Sequence, residues 1–568
     1  MNPVPEDRRP PSGMGVSRAV FWPSAVILLG FVVLATALQE QTSSVVSKIN
    51  ETIIGDLGWY YVAIVSLFVI FCVWVGAGRF GSIRLGRDDE EPEYSLVSWL
   101  AMLFAAGMGI GLVFWGVAEP LNFFHAPKPG VGDGEAERAE FAMVQTFLHW
   151  GIHPWAIYVV VGLAIAYAVH RRNRPVSIRW ALEPVLGDRV KGRLGDLVDV
   201  VAVVGTLFGV ATSLGLGVLQ ISAGLDFVGW VDGPGLGLQV ALIIGITAIA
   251  TLSVVSGIGK GIKWLSNFNM ALAAALMLFV MVAGPTLFVF SGLVQNIGGY
   301  LQNLLEMSFD TGASHGEEGS SWISGWTVFY WGWWISWAPF VGIFIARISR
   351  GRTVREFIAG VLLVPTLLTF LWYSVLGGTA LHRELFGEGG LIGEEGVNND
   401  TALFQLLEHL PAASIVSGLT ILLIVTFFVT SSDSGSFVVD MLASGGTKNP
   451  PVWSRVFWSA LEGAVAIALL VAGGGGKDSL TTLQTVAIII ALPFSVVMLF
   501  LCVSTWKSFH RERTAYLRAR REAEQDRIID KTIKALEESL ETATLEAASG
   551  NRTAAGEATI TRQRDQRD

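Results

Sequence analysis

Tyr330–Phe357 reads YWGWWISWAPFVGIFIARISRGRTVREF. Its first half belongs to an apolar run that begins near Trp326, and roughly 20 such residues in a helix cross the about 30 Å hydrocarbon core of a bilayer. Its second half becomes basic at Arg347–Arg352. Because Lys and Arg accumulate in the cytoplasmic loops of membrane proteins, the stretch predicts a transmembrane helix whose C-terminal end faces the cytoplasm.

The rest of the chain repeats this pattern. Of its 568 residues, 52% are hydrophobic and 15% are charged, whereas soluble domains average about 25% charged residues. The composition therefore predicts an all-α integral membrane protein with about twelve transmembrane helices. We expect these helices to begin near Val20, Trp59, Ser95, Phe141, Leu197, Leu238, Asn267, Trp326, Glu356, Ala412, Trp453 and Thr482.

The charges of the loops predict the orientation. The N-terminus and every second connection are basic, including Arg79–Arg87, His170–Pro175 and Lys507–Arg521, and the intervening connections are acidic or nearly neutral. This alternation predicts a multi-pass protein of the plasma (inner) membrane with both termini in the cytoplasm. Val20–Leu38 is long for a signal peptide and no convincing cleavage site follows it, so we expect it to be retained.

Other classes of protein find little support in the sequence. The two cysteines, Cys72 and Cys502, lie in apolar runs and indicate neither a disulfide framework nor a metal cluster. No basic stripe with interleaved aromatic residues points to nucleic acid. A membrane enzyme would need converging nucleophiles, carboxylates or metal ligands, and the sequence shows no such constellation, so we expect no enzyme. A channel would need a continuous polar pore, and breaks at matching points favour alternating access, although sequence alone does not exclude leak conduction.

Two helices are expected to be interrupted. Gly107, Gly109 and Gly111 alternate within the third span, and Pro339 lies inside the eighth. Glycine weakens a helix by about 1 kcal/mol and proline removes a backbone donor. In a bilayer, freed backbone groups persist where they line a cavity, and matching breaks in two halves point to a binding site between inverted repeats.

These breaks predict a division of the chain into two halves of five helices each, preceded by two extra helices. The predicted parts are a cytoplasmic tail at 1–17, two extra helices in 18–94, a first repeat in 95–293, an external connecting segment at 294–325, a second repeat in 326–506 and a cytoplasmic tail at 507–568. The last tail is helical in composition and mixed in charge, so it could lie on anionic lipid or form a solvated helix that frays.

Aromatic residues cluster on two of these spans. Trp322 and Trp326 lie at a helix end, where Trp is ordinarily an interfacial residue. Trp333, Trp334 and Trp337 lie deeper, beside Pro339, and span four adds Trp150, Trp155 and Tyr158. Indole faces attract a methylated ammonium group by about 2 kcal/mol or more once it is desolvated, without needing hydrogen bonds. The cluster predicts a quaternary-ammonium site, and aromatic core packing is the alternative.

Hydroxyl groups on span ten suggest a cation site. Thr430 and Ser431 follow Phe427 in an apolar helix, and their hydroxyls, with carbonyls freed near Ala105 and Met108, could bind sodium. Alternatively, such hydroxyls bond only to their own helix. Charged residues within membrane spans are functional candidates by default, although capping or pairing with an Arg competes. These residues are Glu119, Asp433 and Asp440, and His149 and His153 are expected to be structural.

The sequence resembles the betaine/choline/carnitine transporter family from about Trp22 to Trp506. The resemblance rests on GMGIGLVFWGVAEPL, on the opening 28-residue stretch with its four tryptophans, and on TSSDSGS. It implies a LeuT-like fold of two inverted five-helix repeats after two extra helices, assembled as a homotrimer. It further implies sodium-coupled symport of glycine betaine or a similar compatible solute for osmoprotection.

The resemblance also assigns residues to sites. The substrate would be bound by Trp150, Trp155, Tyr158, Trp333, Trp334, Trp337 and the glycines Gly107, Gly109 and Gly111. The co-transported sodium ion would be bound by Ala105, Met108, Phe427, Thr430 and Ser431. A possible second sodium ion would use Thr206 and Phe340, but Val210 stands where this site has another threonine.

The substrate within this family stays open. Gly111 occupies a position that is acidic in some choline carriers of the family, so its lack of charge favours a zwitterion such as glycine betaine. Choline, carnitine, ectoine and proline are alternatives, carried by proton coupling or by exchange.

Overall fold

The computed structural model describes residues 15–107, 109–233, 235–256, 259–447, 449–474 and 477–564. The chain divides into two compact units, Met1–Trp506 and Lys507–Asp568. Within the described ranges, β-structure is limited to two isolated bridges, Arg84 with Thr353 and Gly393 with Gly396. The prediction of an all-α protein is confirmed.

The helices follow one another with short connections. Irregular turns are π-helical at Tyr167–Arg171 and Ser324–Val328, and 3-10 at Gly187–Lys191 and Ala313–His315. The α-helices are α1 (Arg18–Ala37), α2 (Gln39–Ala77), α3 (Leu96–Gly107), α4 (Ile110–His125), α5 (Glu135–Trp150), α6 (Ile152–Ala166), α7 (Ile178–Ala181), α8 (Glu183–Leu186), α9 (Arg193–Phe227), α10 (Leu236–Ser256), α11 (Gly259–Ala283), α12 (Thr286–Ser308), α13 (Gly316–Ile323), α14 (Phe329–Ile348), α15 (Val354–Phe386), α16 (Ala402–Glu408), α17 (Ala413–Ala443), α18 (Val452–Ala472) and α19 (Lys477–Arg564).

Most predicted spans correspond to one long apolar helix or helical run. Among the described residues, 11 helices are long and apolar enough to cross a membrane. The predicted third span is the exception, because it consists of α3 with 12 residues and α4 with 16, each too short to cross a bilayer alone. The interruption expected among the glycines therefore lies between Gly107 and Ile110, and Met108 is outside the described residues.

The prediction that the eighth span is interrupted at Pro339 is wrong. α14 continues through Pro339 from Phe329 to Ile348, since a proline removes a single backbone donor and neighbouring helices can satisfy the freed carbonyl. The fourth span is interrupted instead. Gly151, with φ −92° and ψ −132°, separates α5 from α6. The break thus falls directly after Trp150, and the aromatic residues of span four lie on both sides of it.

Close packing places α14 at the centre of the first unit. It packs against both α6 and α9. Gly342 of α14 approaches α6 so closely that an added Cβ would lie 2.7 Å from Val161 and 3.0 Å from the backbone nitrogen of Gly162. Small residues allow this close approach between membrane helices. Trp331 and Trp333, on the same helix, are almost completely buried.

The second unit consists of the C-terminal part of α19, which extends to Arg564. Its side chains are exposed from 515 to 548. The helical composition expected for the tail is therefore matched by helical structure.

Candidate functional site

A cavity lies among the helices that carry the aromatic cluster. It lies where α14 meets α4, α5, α6, α9 and α15, and six of its twelve described lining residues are aromatic. The residues that line it are Gly109, Gly111, Leu112, Trp150, Pro154, Trp155, Tyr158, Ser213, Trp333, Trp334, Trp337 and Thr369.

Three indoles form the densest part of this aromatic box. Trp333 and Trp334 are stacked, with ring centroids 4.6 Å apart, and Trp150 meets Trp334 edge-on at 4.9 Å. Trp155 and Tyr158 add a second edge-on pair at 5.5 Å. All five rings are buried. Edge-on and stacked pairs are favourable arrangements for aromatic rings, so the walls stabilise one another.

The indole N–H groups of the box donate to the protein itself. Trp334 Nε1 donates to the carbonyl of His149 at 3.0 Å, and Trp333 Nε1 donates to Ser213 Oγ at 3.1 Å. Trp337 Nε1 donates to the carbonyl of Gly209 at 2.7 Å. With their polar edges satisfied, these rings offer π faces to the cavity. Such faces suit a cation that makes no hydrogen bonds.

The predicted substrate residues whose surroundings the structure describes come together. Trp150, Trp155, Tyr158, Trp333, Trp334, Trp337, Gly109 and Gly111 all line the cavity, and the surroundings of Gly107 lie outside the described part of the chain. Sequence reasoning missed Leu112, Pro154, Ser213 and Thr369. Thr369 donates to the carbonyl of Trp150 at 3.0 Å, a contact that its sequence surroundings do not signal. Binding by these residues stays a prediction.

The close packing around Gly111 leaves no room for a larger side chain at this position. A Cβ added there would lie 2.6 Å from Trp333 and 3.0 Å from Trp150. Since real Cβ atoms do not approach other atoms at 2.6 Å, any larger side chain must displace two walls of the aromatic box.

We expect Gly111→Ala to weaken the binding of a quaternary-ammonium compound in this cavity about tenfold, because overpacking a tight site costs about 1–3 kcal/mol. Tryptophan fluorescence titration of the purified protein measures this change. Gly205→Ala is the control, since a Cβ at Gly205 would meet nothing within 4 Å. Equal affinities for Gly111→Ala and the parent protein would contradict the steric role of Gly111.

Glu119 holds two of the aromatic residues from behind. It is fully buried in α4. Its Oε2 accepts hydrogen bonds from Trp150 Nε1 at 2.6 Å and from the hydroxyl of Tyr330, and its Oε1 lies 2.8 Å from His149 Nδ1. His149 Nε2 in turn lies 3.0 Å from Thr327 Oγ1. Glu119 therefore joins α4, α5 and α14 behind the box.

The predicted sodium ligands are only partly described. Met108 is outside the described residues, as is the side chain of Ala105. Phe427 is buried in α17. Thr430 Oγ1 donates to its own helix, at 3.0 Å from the carbonyl of Thr426, and accepts from Asn269 Nδ2 at 3.0 Å. The hydroxyl of Thr430 thus makes the bonds to its own helix that sequence analysis gave as the alternative.

The possible second sodium site also shows bonds within one helix. Thr206 Oγ1 donates to the carbonyl of Ala202 at 2.7 Å. Phe340 is half-buried and packs edge-on against Trp337 at 5.4 Å. Val210 faces α17, where a Cβ on Gly435 would lie 2.9 Å from it. The contact between α9 and α17 at Val210 is therefore apolar and closely packed.

Asp440 and His153 have structural partners. Asp440 accepts from the hydroxyl of Ser454 and lies 3.7 Å from Arg455 Nε, which is the pairing with an arginine given as the alternative. His153 Nε2 lies 2.9 Å from Ser308 Oγ, and the ring of His153 stacks on Trp331. These contacts agree with a structural role for His153.

Comparisons with known proteins agree with this architecture. A sequence model described as betaine/carnitine/choline family transporter matches residues 19–514. The chain is 52% identical over 506 residues to an uncharacterized transporter of Mycobacterium tuberculosis, covering 88% of this chain and 84% of that protein. It is 44% identical over 496 residues to a glycine betaine transporter of Bacillus subtilis (87% and 95% covered). It is 42% identical over 514 residues to a glycine betaine/proline/choline/ectoine transporter of Vibrio parahaemolyticus (89% of each).

Proposed function

Because the chain belongs to the betaine/carnitine/choline family of transporters, we propose that it takes up glycine betaine, or a similar quaternary-ammonium compatible solute, together with sodium. The observation that carries the choice of solute is the aromatic box. The indole N–H groups of Trp333, Trp334 and Trp337 donate within the protein, so these rings offer their faces, which suit a trimethylammonium group that has no hydrogen to donate.

A zwitterion is preferred to a simple cation. Gly111 brings no charge to the cavity, and the Trp333 and Trp150 rings lie too close for an acidic side chain there. The carboxylate of glycine betaine balances its own ammonium. The related transporters that are named for glycine betaine support this choice.

The alternative is a carrier of choline, carnitine, ectoine or proline that is proton-coupled or works by exchange. One relative is named for glycine betaine, proline, choline and ectoine together, which favours testing several solutes. Uptake into proteoliposomes of each solute, with a sodium gradient and with a pH gradient, separates these functions. Full uptake in sodium-free buffer at constant pH would contradict sodium coupling.

Removal of the hydroxyl pair tests the sodium site. We expect the double variant Thr430→Ala/Ser431→Ala to raise the sodium concentration for half-maximal uptake about tenfold, since each lost oxygen ligand weakens the binding of a small hard cation. Thr420→Ala is the matched control, because Thr420 is buried in the same helix and its hydroxyl donates to the carbonyl of Val416, one turn earlier in that helix. An unchanged sodium dependence in the double variant would exclude this site.

The assembly and setting proposed with this function are those implied by the family. The protein would work as a homotrimer in the plasma (inner) membrane with both termini in the cytoplasm, and would serve osmotic adaptation. The inverted repeats would be 95–293 and 326–506, with the cavity between α6 of the first and α14 of the second.

A further inference from the structure

Two aromatic residues in the cavity wall carry a polar hydrogen that the protein does not use. Trp155 and Tyr158 lie one turn apart on α6, and both line the cavity. Trp155 is 3% exposed and Tyr158 is 4% exposed. Within the described part of the chain, the indole N–H of Trp155 and the hydroxyl of Tyr158 make no hydrogen bond, either with each other or with another residue. Their contacts are those of the rings, Trp155 with Tyr158 at 5.5 Å and Tyr158 with Trp334 at 6.5 Å.

The other side-chain donors among the described lining residues are already bonded. Four indoles donate to oxygens of the protein, those of Trp150, Trp333, Trp334 and Trp337. The hydroxyl of Thr369 donates to the carbonyl of Trp150 at 3.0 Å, and the hydroxyl of Ser213 donates to the carbonyl of Gly209 at 3.3 Å. The free side-chain donors of the described wall therefore lie together on α6.

The chemistry of these two groups determines which partner they can accept. Buried polar groups are nearly always bonded, so two free donors in the wall of a cavity point to an acceptor inside it. A trimethylammonium group offers no acceptor. A carboxylate is the strongest acceptor that a small zwitterion carries, because hydrogen bonds to an ionised oxygen are roughly twice as strong as neutral ones.

We propose that the Trp155 N–H and the Tyr158 hydroxyl bind the carboxylate of the solute, while the faces of the other indoles hold its ammonium group. The Tyr158 and Trp334 rings meet edge-on with centroids 6.5 Å apart, so one small zwitterion can reach both. This inference rests on the proposed function and narrows it. Trp155 and Tyr158 select solutes that carry a carboxylate, such as glycine betaine, carnitine, proline and ectoine, over choline, which has none.

Tyr158→Phe tests this selection, because it removes the hydroxyl and keeps the ring. In the purified full-length protein at saturating sodium, calorimetric titration measures the affinity for glycine betaine, and displacement of glycine betaine measures the affinity for choline. We expect the variant to bind glycine betaine about 10- to 100-fold more weakly, which is the effect of losing a hydrogen bond to a charged group. Its affinity for choline should equal that of the parent.

Tyr373→Phe is the matched control. The hydroxyl of Tyr373 is buried and also has no hydrogen-bond partner among the described residues, and the Tyr373 ring lies 5.3 Å from that of Trp150, but Tyr373 is not among the described residues that line the cavity. Removal of this hydroxyl should leave both affinities at the parent values.

The outcomes separate this inference from the proposed function. Equal losses for glycine betaine and choline in Tyr158→Phe, or no loss for either, overturn the assignment of the carboxylate and leave quaternary-ammonium binding intact. The carboxylate would then be bound by other donors, such as the backbone N–H groups at the N-terminus of α4. A parent protein that binds neither solute overturns the proposed function instead.

A second pair of variants keeps the test valid if Tyr158→Phe does not fold. Trp155→Phe removes the free N–H and keeps an aromatic face, so it should lower the preference for glycine betaine over choline about tenfold. Trp334→Phe makes the same change at an indole whose N–H donates to the carbonyl of His149, so it should weaken both solutes together. An unchanged preference in Trp155→Phe would also overturn the inference.

Discussion

Trp334→Leu is expected to weaken glycine betaine binding by roughly 30-fold or more. Trp334 stacks on Trp333 at 4.6 Å and meets Trp150 at 4.9 Å and Tyr158 at 6.5 Å. Its loss removes one cation–π contact worth about 2 kcal/mol, and it also frees the neighbouring rings to move. Calorimetric titration at saturating sodium measures the effect directly.

The control for this substitution is Trp264→Leu. Trp264 lies in α11 and is 66% exposed, so its removal changes the tryptophan content without touching the cavity. If Trp334→Leu binds glycine betaine as tightly as the parent and this control, the aromatic box is not the binding site.

Glu119→Ala is expected to have the second large effect, on stability and transport together. It leaves Trp150 Nε1, the Tyr330 hydroxyl and His149 Nδ1 without their shared partner in a fully buried setting. Each unsatisfied buried group costs about 1–3 kcal/mol. We therefore expect a clearly lower melting temperature, and uptake close to background because Trp150 is no longer held.

Two other variants identify the cause. Glu119→Gln keeps an oxygen acceptor and similar volume, so it should recover much of the stability if geometry is what matters. Glu140→Ala removes a carboxylate of α5 that is exposed and makes only a 3.5 Å contact with Gln295, and it should behave like the parent. A parent-like melting temperature and uptake in Glu119→Ala would show that Trp150 does not depend on this carboxylate.

The effects of Glu119→Ala and Gly111→Ala are expected to be coupled. Both residues contact Trp150. Glu119 accepts a hydrogen bond from Trp150 Nε1, and a Cβ at Gly111 would lie 3.0 Å from the Trp150 ring. Contacting residues commonly show interaction energies of about 0.5–3 kcal/mol, so the effects of the two substitutions should not add.

The spans and the aromatic box could be predicted from sequence because each depends on local information. A run of apolar residues long enough for a bilayer forms a helix wherever it occurs, since its backbone must bond internally. The tryptophans of α14 and the aromatic residues beside Gly151 were identifiable from their density within those spans. The glycines of the third span likewise marked an interruption that the structure has between α3 and α4.

The sequence by itself thus determined an all-α membrane protein, its spans and the aromatic residues that surround one cavity. Only the tertiary structure decided that α14 passes through Pro339 unbroken, that Gly151 breaks span four, and that Glu119 anchors Trp150. The physical reason is that these features depend on hydrogen bonds and packing between groups from distant parts of the chain. Hydropathy and residue spacing along one helix do not identify those partners.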